Sequence, residues 1–292
     1  LLWAFVSWQR HRERHGSDPL FHLQLLTIVP LRSGLVGLFT QNLILMGVFF
    51  VVPLYLQLVI GLDALETGIK MLPVSITMFI ASALGSRLSN RFPVRSIVRA
   101  GLLTTVVAAL ALPATIQPVP GDAGFAVSMA ILGVGMGLIV SQLGNVVQTS
   151  VDASGRGEAG GLQYTGQQLG SSLGVALIGA IVLSGLTGAF VNRVEADTRI
   201  ADEVSAQVGV AAQPGIDFVS SEQIEAAVAK ADVDERSGAA IVENYESAQL
   251  QSLKIGLLAT ALLALVSLAF TGGLPNESPA RDPDRAERHA AV

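Results

Sequence analysis

The sequence predicts an all-α integral membrane protein, and three observations carry that expectation. The 292-residue chain is 51% hydrophobic, only 14% charged and has a mean hydropathy of +0.56, outside the balance of soluble globular domains. Residues 33–62, 100–121, 123–151 and 159–192 contain no Asp, Glu, Lys or Arg, and a hydrocarbon core requires roughly 20 apolar residues per helix. Basic residues gather in alternate connections between such runs. A backbone in lipid must satisfy its own hydrogen bonds, so long apolar runs form helices.

Taken in order, residues 1–8 (LLWAFVSW) read as the end of a truncated transmembrane helix, because the chain opens inside an apolar run. A polar stretch, 9–15, and an apolar stretch, 20–31, make residues 1–32 that remnant and a cytoplasmic linker. Five transmembrane helices are expected within 33–190, at about 34–57, 67–84, 97–116, 123–148 and 161–186. The second is flanked by Glu66, Lys70 and Arg87; long basic side chains near a helix end can snorkel to the interface. Pro53 and Pro73 fall within spans, where neighbouring helices compensate the freed backbone groups. Residues 191–253 read as an acidic extracytoplasmic helical loop, with a capping box at Ser220 and Gln223 and an apolar face of Ile224, Ala227, Val228 and Ala231. The last transmembrane helix is expected at 254–273, and 274–292 as a disordered cytoplasmic tail.

Orientation follows from Lys and Arg in short loops. Arg32, then Arg87, Arg91, Arg95 and Arg99, then Arg156, then Arg281, Arg285 and Arg288 fall on one side by alternation. That side is expected to be cytoplasmic, C-terminus included, in a multi-pass protein of the plasma membrane.

Several chemistries find no support. There is no cysteine, which removes disulfides and thiolate metal sites. His11, His15, His22 and His289 all lie in expected cytoplasmic flanks. No metal, no cofactor and no nucleic-acid partner is expected, and no enzymatic activity. GSSLG at 170–174 matches a nucleophile elbow in letters only, because it sits within a helix without a membrane histidine. GVGMG at 133–137 lacks the spacing and strand context of a dinucleotide loop.

Two constellations remain. Gly133, Gly137 and Ser141, and then Gly166, Gly170 and Gly174, recur at four-residue spacing, a pattern that lets helix backbones approach closely in lipid. Amides form the second set. Gln41 and Asn42 on the first span, Gln142, Asn145 and Gln148 on the fourth, and Gln163, Gln167 and Gln168 on the fifth fall in one layer of the cytoplasmic half. Amides in apolar surroundings are costly unless paired. They either bind helices to one another or line a wet substrate pathway. Tyr55 and Gln57 form a thinner polar set near the outer end.

Residues 53–84 (PLYLQLVIGLDALETGIKMLPVSITMFIASAL), 85–95 (GSRLSNRFPVR) and 133–181 resemble the major facilitator superfamily, specifically its fourteen-helix drug:proton antiporters. The resemblance implies a major-facilitator-type helical bundle. The chain would hold its C-terminal six-helix half plus the end of a preceding helix, with two inverted three-helix repeats in that half. It also implies secondary active efflux of small hydrophobic or amphipathic compounds by alternating access. Its partners would be the lipid bilayer, a small-molecule substrate and protons, the last through the missing N-terminal half. Residues 85–95 resemble the family's cytoplasmic basic-loop motif, carried by Arg87, Asn90, Arg91 and Arg95. Asn90 stands where that motif has Asp, which weakens a charge relay. The alternative is a non-transporting membrane scaffold or sensor whose outer helical loop binds a partner.

Overall fold

The computed structural model describes residues 23–118, 122–231 and 233–276. The expected helix remnant 1–8, the polar stretch 9–15, all four histidines and residues 277–292 of the tail lie outside the described residues.

After a 3-10 turn at Leu23–Thr27, helix α1 covers Val29–Leu54 and continues as a π-helical turn over Tyr55–Val59. There follow α2 (Ala64–Leu88), α3 (Val94–Thr115), α4 (Asp122–Thr149), α5 (Arg156–Ala196), α6 (Asp202–Ala211), α7 (Ser221–Val228) and α8 (Glu235–Ala269). A 3-10 turn, Phe270–Gly273, extends α8. Among the described residues, α1 to α5 and α8 are the six helices long and apolar enough to cross a membrane. Among the described residues these helices pack together as one all-α bundle.

Local chemistry sets the ends of these helices. Pro30 sits in the first turn of α1, where its missing N–H is no loss. Near the other end, Pro53 removes a ladder donor, and the helix widens to i→i+5 pairing, Ile60 N donating to Tyr55 O at 3.1 Å. Gly61, at φ +79°, then reverses the chain. α2 opens on a reciprocal capping box: Glu66 N donates to Asp63 Oδ1 at 2.8 Å, and Asp63 N to Glu66 Oε2 at 3.1 Å. α4 begins at Asp122, whose carboxylate meets Lys70 Nζ of α2 at 2.5 Å.

The dominant pairings are α2 with α4 and α1 with α5, while α3 packs on α4 and α8, and α8 on α5 and α1. Mapping α1, α2 and α3 onto α4, α5 and α8 exchanges the two dominant pairs, as a pseudo-two-fold between three-helix repeats requires. Small residues make both pairs possible. A Cβ on Gly133 or Gly137 would collide with the Val74 or Met78 carbonyl of α2, and one on Gly170 or Gly174 with the Phe39 or Leu43 carbonyl of α1. Gly166 stands off, since a Cβ there would lie 3.8 Å from Leu35 O, an ordinary contact. α1 and α5 therefore diverge toward the end of the bundle that holds Arg32, Arg87, Arg95 and Arg156, called the basic end below.

At the opposite end, helix does not stop where hydropathy does. α5 runs 41 residues and α8 runs 35; at 1.5 Å per residue, α5 is about 60 Å long, twice a hydrocarbon core. Much of residues 191–253 is helical, with continuations of α5 and α8 at the two flanks. α6 and α7 lean on those continuations. Phe190 and Tyr245 meet edge to face at 5.7 Å within a cluster of Leu186, Val194, Ile200, Ile241 and, partly buried, Val204, Ile224 and Val228. The Ser220 capping box is present, Ser220 N donating to Gln223 Oε1 at 3.1 Å. Ala227 and Ala231 are exposed.

Candidate functional site

α1 is flanked by α4, α5 and α8, which cover most of its circumference. One stripe stays half exposed: Phe39, Asn42, Met46, Phe49 and Pro53. Their helical spacing of three and four places them on a single face. On α5, half-buried Gln163 and Gln167 lie beside the glycines that pack on α1, exposed Tyr164, Gln168 and Ser172 lie on the side turned away from α1, and α4 contributes exposed Asn145. Gly170 lies against the Phe39 backbone, and a Cβ on Gly37 would meet the Leu143 side chain. Those contacts set the level of the amides along the three helices. Gln41, Gln142 and Gln168 are within about a turn of one another, whereas Gln148 and Gln163 lie nearer the basic end.

The amides do not form one continuous network. Gln142 is buried, and its Nε2 donates to Gly85 O of α2 at 2.8 Å, while its Oε1 has no partner. Gln41 is 2% exposed, and its Oε1 also lacks a partner. Gln148 Nε2 donates to Gln163 Oε1 at 3.3 Å, linking the adjoining ends of α4 and α5. Asn42 Nδ2 donates to Leu38 O of its own helix at 2.9 Å, and Gln167 is half-buried on α5. Buried polar atoms in folded proteins are nearly always satisfied. Among the described residues, four buried side-chain oxygens have no protein partner; two of them, Gln41 Oε1 and Gln142 Oε1, fall in this layer, and the others are Thr67 Oγ1 and Gln249 Oε1.

The outer polar pair divides. Tyr55 is buried, and its hydroxyl donates to Gln117 O at 2.8 Å and accepts from Gln117 N at 3.2 Å, fixing α1 to the end of α3. Gln57, on the π-helical turn, is exposed.

In the basic loop, Arg87, Asn90 and Arg91 are exposed. Arg95 is committed: its Nε donates to Thr271 O at 3.1 Å and its terminal nitrogen to Gly272 O. Arg99, one turn on, donates from Nε to Thr271 Oγ1 at 2.9 Å. The last carbonyls of a helix have no intrahelical donors and carry partial negative charge, so two guanidinium groups suit the end of α8. Sequence reasoning missed Arg99 in this role, as well as Met46 and Phe49.

Among the described residues, no three His, Cys, Asp or Glu side chains gather as a metal site.

The sequence profile of the Major Facilitator Superfamily matches residues 1–175. Multidrug resistance protein Stp of Mycobacterium tuberculosis is 26% identical over 278 residues, covering 94% of this chain and 50% of that protein. Drug efflux pump JefA of the same species is 31% identical over 196 residues, 66% of this chain and 37% of JefA. The tetracenomycin C resistance and export protein of Streptomyces glaucescens is 28% identical over 176 residues, 59% of this chain and 32% of that protein. The chain thus spans half or less of the length of these relatives.

Proposed function

Starting from a chain that belongs to the Major Facilitator Superfamily, we propose that it forms the C-terminal half of a secondary transporter exporting small hydrophobic or amphipathic compounds. Alternating access driven by a proton gradient is the mechanism in this reading. The basic end faces the cytoplasm, and the protein resides in the plasma membrane. The observation that carries the reading is the half-open face shared by α1, α4 and α5. It mixes amides (Asn42, Asn145, Gln163, Gln167) with Met46 and Phe49 and holds no formal charge. Such a face recognises a compound by apolar area and a few hydrogen bonds rather than by a fixed ion pair. The names of the relatives, which speak of export, drug efflux and multidrug resistance, point the same way.

Proton coupling is assigned to the other half of the transporter. Intramembrane carboxylates are the usual proton relays, and residues 33–62, 71–86, 100–121, 123–151, 159–192 and 255–276 hold none. The divergence of α1 and α5 toward the basic end favours entry of substrate from that side.

The test is export from everted vesicles carrying the intact transporter, with a fluorescent lipophilic dye and an imposed pH gradient. Dye movement that follows the gradient supports the reading, and movement indifferent to it removes the antiport claim. Gln167→Ala and Gln142→Ala are expected to lower export with the protein still folded. Unchanged export in both would return these side chains to helix packing.

A further inference from the structure

At the basic end, on the side of α1 turned away from α5, a crevice of about 300 Å3 separates the first turns of α1 from the end of α8. It is lined by Val29, Arg32, Ser33, Val36, Phe270 and the Gly272–Gly273 backbone. A smaller cavity of about 20 Å3, also lined by Ser33 and Phe270, continues it inward. Val29 is 48% and Phe270 56% exposed, so the crevice has an apolar mouth. Its height is set by the sequence: the charge-free run of the first span starts at Ser33, and that of the last ends just beyond Gly273. This is the boundary between hydrocarbon and headgroups.

The electrostatics are one-sided. The C-terminal end of a helix repels anions, but here the Thr271 and Gly272 carbonyls are already occupied by Arg95. Arg99 takes the Thr271 hydroxyl. Arg32 is exposed in the wall of the crevice and has no ion pair among the described residues, and no carboxylate lines it. The positive end of the α1 dipole adds to this field. The crevice therefore combines an apolar slot with one lining arginine, Arg32, at headgroup depth, while Arg95 and Arg99 occupy the α8 carbonyls and hydroxyl behind it.

From this we infer that the crevice between α1 and α8 is a binding site for an anionic phospholipid, with the headgroup phosphate at Arg32 and an acyl chain along Val29, Val36 and Phe270. Basic recesses between helices at the membrane surface favour such headgroups, each Arg near the surface contributing about 1 kcal/mol. The inference is independent of what the transporter exports.

Native mass spectrometry of the intact protein, released from nanodiscs of mixed phosphatidylglycerol and phosphatidylcholine, tests it. Wild type is expected to retain phosphatidylglycerol over phosphatidylcholine. Arg32→Gln should lower the retained anionic lipid about fivefold, and Arg32→Lys should restore most of it. Val29→Trp fills the exposed mouth without touching charge and should lower retention as well. Equal retention of the two lipids, or retention unaltered in both Arg32→Gln and Val29→Trp, overturns the proposal. Full displacement by excess inorganic phosphate would mean a simple anion site. A photo-crosslinker at Val29 that captures protein rather than lipid would mean the slot belongs to another part of the chain.

Discussion

Gly133, Gly137, Gly170 and Gly174 are among the residues least open to change, because the positions their Cβ atoms would take lie against the Val74, Met78, Phe39 and Leu43 carbonyls. Backbone cannot yield as a side-chain tip can, so Gly174→Val is expected to cost about 1–3 kcal/mol and to separate α1 from α5. Thermal unfolding of the purified transporter would show it, with Gly166→Ala as the tolerated comparison. Gln142 poses a different problem. Its amide nitrogen bonds Gly85 O, but its oxygen is buried and orphaned. Gln142→Met gives up an interhelical bond worth about 0.6 kcal/mol and relieves an unsatisfied acceptor. The melting temperature should hardly move, while export of substrate falls if the layer lines the pathway.

Among the elements, the cap formed by α6, α7 and the ends of α5 and α8 has its own pH response. Arg199 holds the Asp197 carboxyl far below the usual carboxylate range, chiefly through side-chain hydrogen bonds, with Asn244 adding another. A depressed native value means the interaction is fully present above the unfolded carboxylate value of about 3.9 and is lost as pH falls below it. Protection factors for hydrogen exchange over residues 202–228 should therefore fall below about pH 4, and Asp197→Asn should flatten that dependence. At the π-helical turn, Tyr55→Phe removes the hydroxyl that ties α1 to Gln117. A loss of about 1 kcal/mol is expected in unfolding experiments.

For the whole molecule, the six spans are unevenly covered. Only 17% of the most apolar window of α2 and 33% of that of α5 is buried, against 50% for α3 and α4. α2 and α5 are the spans least covered by the rest of the chain. The chain has no cysteine, so single-cysteine variants give unambiguous labelling. Cysteine at Gln167 is expected to react with a membrane-impermeant maleimide and to be protected by substrate. Cysteine at Phe79, 78% exposed on an apolar face of α2, should stay unlabelled, since thiolates do not form in apolar surroundings. Equal labelling of the two would remove the distinction between a wet face and a dry one.

Much of this architecture was legible in one dimension, for a simple reason. Each crossing must satisfy its backbone within itself, so helix existence is a local property of apolar length. The runs without charge, the alternation of arginines and the four-residue glycine spacing are all of this kind. Helix ends were harder wherever polar residues continued the helix. α5 reaches Ala196 and α8 starts at Glu235 because Phe190, Ile241 and Tyr245 bury one another beyond the span, a contact made between segments some 50 residues apart. Distance in sequence also hid the partners of individual side chains. Depth along a helix can be counted from residue numbers, but the direction around it is decided by which neighbour packs there. That is why Gln142 turns to Gly85, Gln148 to Gln163, and Arg95 and Arg99 to the end of α8. The sequence by itself determined a membrane bundle of six helices with one basic end. Only the tertiary structure decided which polar atoms are left without partners, because that depends on pairings that no local pattern encodes.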